Sequence, residues 1–179
     1  MFRKILIYGT VGGLLVGVPL SALTASSNGH HLPSGVAMAI GYLTMLIALS
    51  AVFAGIKRYR DIDLGGVIGF WPALGLGLGI SFVASVIYVL AWETTLALMH
   101  LDFAGGYAKM MIEEQKAKGV TGAALAKFTA EMEQFKVQYA NPFYRLPMTF
   151  IEIFPVGVLV SLVSAGLLRS SRFLPARRG

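Results

Sequence analysis

The stretch WPALGLGLGISFVASVIYVLAW, Trp71 to Trp92, carries no charge and is bounded by a tryptophan at each end. Its two tryptophans are 21 positions apart. In a helix that spacing is ~31 Å, close to the thickness of a bilayer's hydrocarbon core. Tryptophan prefers the headgroup level, so the pair is expected to mark both membrane surfaces. Pro72 suits the first helical turn, where its missing N–H is harmless. Just before it, Leu64-Gly65-Gly66-Val67-Ile68-Gly69-Phe70 is apolar but glycine-rich and reads as an irregular entry along the interface.

Working outward, three further runs meet the requirement of about 20 mostly apolar residues. The spans are expected at about 5–25, 36–56, 72–92 and 147–168, the last interrupted only by Glu152. Together they form a single membrane domain over 1–179, with residues 100–144 as an insertion. Composition agrees: 13% of the 179 residues are charged, against about 25% in soluble domains. Mean hydropathy is +0.70. A soluble enzyme and a disordered tail are both disfavoured. The absence of cysteine excludes a disulfide scaffold and a thiolate zinc site.

Positive charge sets the expected orientation. Arg3 and Lys4 precede span one; Lys57, Arg58 and Arg60 follow span two; Arg169, Arg172, Arg177 and Arg178 follow span four. An even number of spans puts these nine on one side with only Asp61 and Asp63, a net of +7, while six Lys/Arg face seven acids elsewhere. The overall charge of +6 is therefore a topology signal rather than a nucleic-acid patch. The positive-inside rule puts both termini in the cytoplasm. A cleaved signal peptide ending at Ala22 or Ala25 is the rival. The apolar run Ile5–Leu20 exceeds a normal signal core, and Leu20 or Leu23 occupies the −3 position, so an uncleaved span is preferred.

The segment from Met99 to Tyr144 is too long for a plain connection. Tyr107, Met110 and Met111 form one apolar edge, Gly119 punctuates, and Leu125, Phe128, Met132, Phe135 and Tyr139 recur at three- and four-residue steps. Thr121 is the expected N-cap, and Asn141-Pro142 the stop. An amphipathic helical hairpin on the non-cytoplasmic side follows, either capping the bundle or meeting a protein partner.

Small residues recur four apart. Gly9, Gly13, Gly17 and Ser21 share one face of span one; Gly75 and Gly79, with Gly77 and Ser81 alongside, occupy span three. Ala51 and Gly55 in span two and Gly157, Ser161 and Ala165 in span four do the same. Such faces let backbones approach closely in lipid, within the chain or between copies in a homo-oligomer. Pro19 and Pro155 are expected to kink their helices.

Two acids attract attention. Glu152 lies inside span four, three residues before Pro155, which leaves the Ile151 carbonyl without its usual donor. Intramembrane acids are costly, which makes Glu152 and Glu93 a candidate ion or proton site. The plainer alternative pairs Glu152 with Arg145, seven residues earlier, and leaves Glu93 solvated. Lys57, Arg58, Arg60 and Asp61 are candidate lipid-headgroup contacts around Tyr59, or else an anchor with local Arg–Asp pairs. Asp61-x-Asp63 is no metal site by itself. His30 and His31 are adjacent and His100 is distant, and no nucleotide fingerprint or catalytic set occurs. No catalytic residue, cofactor or metal is assigned.

Several stretches have a familiar form: Lys4-Ile5-Leu6-Ile7-Tyr8-Gly9, Gly55-Ile56-Lys57-Arg58-Tyr59-Arg60-Asp61, Leu64–Phe70, Asn141-Pro142 and Phe150-Ile151-Glu152-Ile153-Phe154-Pro155-Val156-Gly157. Together they resemble a bacterial family of small four-span membrane proteins filed as domain of unknown function 4199. The resemblance covers nearly the whole chain and implies a bacterial inner-membrane protein, with no activity attached. The expected molecule is an all-α, four-transmembrane-helix bundle, more scaffold than enzyme, with lipids and a protein or second copy as partners. A cation- or proton-coupled transporter using Glu152 is the alternative, and a lipid-binding protein the third.

Overall fold

The computed structural model describes residues 1–26 and 34–175. His30, His31, Arg177 and Arg178 lie outside the described residues, as does most of the expected charge-free loop.

Six helices follow one another: α1 (Phe2–Ser26), α2 (Ser34–Arg58), α3 (Phe70–Met99), α4 (Phe103–Ala117), α5 (Gly122–Ala140) and α6 (Pro142–Leu168). The described residues contain no strand. Helices α1, α2, α3 and α6 are each long and apolar enough to cross a membrane. All four outrun the expected spans. α3, with 30 residues, is ~45 Å long, well beyond a 30 Å core. α6 starts at Pro142 rather than Pro147, with Asn141 accepting a hydrogen bond from the Phe143 N–H at 3.0 Å. α1 runs unbroken through Pro19, and α6 through Pro147 and Pro155.

The four long helices form a ring in which α3 packs between α1 and α6, and α2 closes the far side against the same two. The glycine faces make those contacts. A Cβ on Gly9 would lie 2.5 Å from Val83 Cβ, one on Gly13 2.6 Å from Ile87 Cβ, and one on Gly17 2.7 Å from Ala91 Cβ. Ser21 Oγ extends the row to Thr95 Oγ1 at 2.6 Å. Each of these pairs is 74 positions apart, so α1 and α3 are parallel and in register. Packing replaces the hydrophobic effect in lipid, and glycine allows this closeness.

The α3–α6 seam is antiparallel and carries serines. Gly77 faces Ser161, and Gly157 faces Ser81. Ser81 Oγ donates to the Gly157 carbonyl and meets Ser161 Oγ, both at 3.1 Å. Gly75 lies in open space and belongs to neither seam.

The end of α2 widens into a π-helical turn, Tyr59–Asp63. The link to α3 then reverses direction through Gly65 and Gly66, at φ +64° and +96°. Only glycine takes up such angles freely, and the turn is closed by the Gly66 N–H donating to the Arg60 carbonyl at 2.8 Å.

Candidate functional site

The hairpin is anchored by aromatic side chains. α4 and α5 pack on each other through Tyr107, Phe135 and Tyr139, with ring centroids 5.4 to 5.7 Å apart. Phe103 lies edge-on to Trp92 at 5.0 Å. Trp92 itself is buried beneath the hairpin, and its indole N–H donates to Tyr139 Oη at 2.8 Å. This corrects the expected role of the tryptophan pair. Trp71 is exposed, as an interface residue should be, whereas Trp92 is the seat of α5. Thr121 occupies the N-cap position of α5 without making a side-chain bond. Asp102 caps α4 instead, accepting from the Gly105 N–H at 2.8 Å.

Beside this anchor lies an ion pair that sequence spacing did not reveal. Arg145 donates from Nε and Nη2 to the two carboxylate oxygens of Glu93, each at 2.6 Å. Its Nη1 also donates to the Tyr139 carbonyl at 3.1 Å. A two-pronged arginine–carboxylate contact is among the stronger side-chain pairings. It ties the upper ends of α3 and α6 to the end of α5. Glu93 is therefore half-buried and paired rather than merely solvated. An open crevice of about 700 Å³ adjoins the pair, with Leu96, Phe103 and Val137 among its apolar walls and Lys136 at its edge. Lys136 pairs with Glu133, which holds the ammonium above its ordinary range.

The structure does not join Glu152 to Glu93. Arg145, the partner foreseen for Glu152, is occupied by Glu93. Glu152 lies on the surface of the bundle, near the hairpin end, and accepts from the Tyr88 hydroxyl at 3.5 Å, the outer limit of a hydrogen bond. Tyr88 is buried. No ion pair to Glu152 occurs among the described residues. Phe82, Phe150 and Phe154 form an aromatic cluster on the same two helices.

At the other end, the four candidate headgroup residues divide. Arg60 is fully buried. Its guanidinium donates to the Leu168, Phe173 and Leu174 carbonyls, at 2.9 Å for Phe173, and Nε reaches Asp61 at 2.6 Å. Its donors are spent on backbone and on Asp61, so the expected headgroup contact through Arg60 gives way to a clamp on the segment after α6. Asp61 also accepts from Lys57 at 2.6 Å. Lys4 pairs with Asp63 and lies over the Tyr59 ring. Arg58 alone of the four remains exposed and unpaired among the described residues. No group of three or more metal-binding side chains occurs among the described residues.

An all-helical bundle with four membrane-length apolar helices defines a multi-pass membrane protein. More narrowly, the chain belongs to the family described as protein of unknown function (DUF4199), whose model matches residues 6–170. No curated protein and no solved structure matches it.

Proposed function

We propose that this protein is a non-enzymatic scaffold of the bacterial cytoplasmic membrane, presenting its helical hairpin outside the cytoplasm to a protein partner. Both termini are then cytoplasmic, in line with the cations at the Lys4–Arg60–Arg169 end. One observation carries the reading. The hairpin is fixed to α3 and α6 by the Trp92–Tyr139 bond and the Arg145–Glu93 pair, instead of hanging from a mobile link. A fixed platform loses little freedom on binding, which is what a docking element requires. Photo-crosslinkers at Phe128 and Val137 in intact cells test this. Discrete protein adducts are expected, and recovery of lipid adducts alone would overturn it.

A second reading rests on Glu152. Its carboxylate has a tyrosine hydroxyl and, among the described residues, no cation beside it, in a helix otherwise fit for lipid. An acid so placed suits a proton or cation site. Proton-driven flux in liposomes, compared between wild type and Glu152→Gln, tests it. The expected result is flux in wild type and loss in the variant; no flux in either sinks it.

A further inference from the structure

The charges at the Arg60 end fall into two sets that the sequence does not separate. Lys57 and Arg60 share Asp61, and Lys4 takes Asp63. Those two carboxylates are the only acids of this end. Arg3, Arg58, Arg169 and Arg172 are left exposed, and none forms an ion pair or side-chain hydrogen bond among the described residues. The Lys4–Asp63 and Arg60–Leu168 contacts bring the start of α1, the end of α2 and the end of α6 to one level. The four free guanidinium groups therefore ring the same end of the bundle.

Their surroundings match a bilayer surface. Ile62, Leu64 and Val67 are exposed in the turn and link beside them, as is Trp71 at the start of α3. Such side chains favour the boundary between headgroups and acyl chains. Arginine at that depth meets phosphate oxygens in a forked geometry that a lysine ammonium cannot offer. The hairpin end differs. There Lys116, Lys118, Lys127, Lys136 and Arg145 each lie within 4 Å of a glutamate, leaving only Lys109 without one.

We propose that Arg3, Arg58, Arg169 and Arg172 form a binding surface for anionic phospholipid headgroups, with Lys4, Lys57 and Arg60 excluded from it by their internal partners. The ligand is the phosphodiester of a lipid with net negative charge, held by guanidinium forks while its chains lie against the exposed apolar link.

The test uses the full chain reconstituted with spin-labelled phosphatidylglycerol or phosphatidylcholine, reading the motionally restricted fraction of each. Wild type favours the anionic lipid, and the preference weakens with salt. Arg169→Gln or Arg58→Gln lowers it by up to about fivefold, and the combined change of Arg3, Arg58, Arg169 and Arg172 removes it. Lys57→Gln subtracts the same charge but leaves the preference largely intact, because Lys57 is engaged by Asp61. Equal losses in Lys57→Gln and Arg169→Gln would reduce the effect to net charge and overturn the proposal. No preference in wild type also overturns it. So does abolition by millimolar inorganic phosphate at constant ionic strength, which would mark a site for a soluble anion. None of these arginines has a side-chain partner among the described residues, so the single variants are expected to fold, and an unchanged elution volume checks that.

Discussion

Each end of this bundle fastens an extra segment with one arginine, and the two arginines do it by opposite means. Arg60 turns inward and is buried, holding three backbone carbonyls at the end of α6 and beyond it. Arg145 stays partly exposed and grips the Glu93 carboxylate with two nitrogens, adding one carbonyl from α5. Apart from Nε on Asp61, the first arginine reads only main chain, so it fixes the path of the tail whatever the tail's side chains are. The second depends on a particular acid on a neighbouring helix. Burial separates them further, since a buried guanidinium has no water to fall back on.

The largest effect is therefore expected at Arg60. Arg60→Met leaves its carbonyl partners and Asp61 short of a donor, and should lower stability in detergent by about 3–5 kcal/mol, the range for breaking a buried charged contact. Arg145→Gln should cost about 2 kcal/mol, as for a hydrogen bond to a charged group. Thermal melts of the two variants check the order, and a larger loss at Arg145 would reverse the comparison. Between the two ends, Gly13→Ala places a Cβ 2.7 Å from the Ala84 carbonyl oxygen, against backbone. A loss of about 1–3 kcal/mol is expected from such overpacking, whereas Gly75→Ala, which meets nothing, should leave the melt unchanged.

Smaller effects should stay within the hairpin. Trp92→Phe keeps a six-membered aromatic ring but deletes the N–H to Tyr139 and the rest of the buried indole, a loss of about 1–2 kcal/mol. Hydrogen exchange should quicken in α5 and not in α1 or α2. The smallest change is expected with acid. Glu113 is held below its ordinary value near 4.5 by its bond to Lys116. A carboxyl lowered on folding contributes stability above that ordinary value and loses it as pH falls through the folded one. Protection factors in α4, which divide out the base-catalysed intrinsic rate, should therefore fall slightly below pH 4.5, and a fall on going alkaline instead would contradict the pairing.

Which parts were legible in sequence follows from the range of the forces. Four spans, the hairpin, its break at Gly119 and the Asn141-Pro142 stop arise from local composition and backbone preference, and the helices follow them. The glycine rows predicted close contact, though not which row met which, because register emerges only when helices pair. Arg145 looked available to Glu152 because both lie on α6; Glu93 became its partner through the antiparallel α3–α6 alignment that also joins Gly77 to Ser161. Trp92 has the sequence context of an interface marker, because nothing local reports that a hairpin will cover it. Arg60 was the least legible. Its acceptors are carbonyls 108 to 114 positions away, and a carbonyl leaves no trace in residue identity.

The parallel register of α1 and α3 also bears on how the molecule is made. Partners 74 positions apart cannot meet until the later one has been synthesised. At about 5–20 residues per second, that interval is roughly 4–15 s. Throughout it, the groove along Gly9, Gly13 and Gly17 stands open in the bilayer, and α2 is the only neighbour yet available. Acyl chains or the insertion machinery must fill that slot until Val83, Ile87 and Ala91 arrive to displace them.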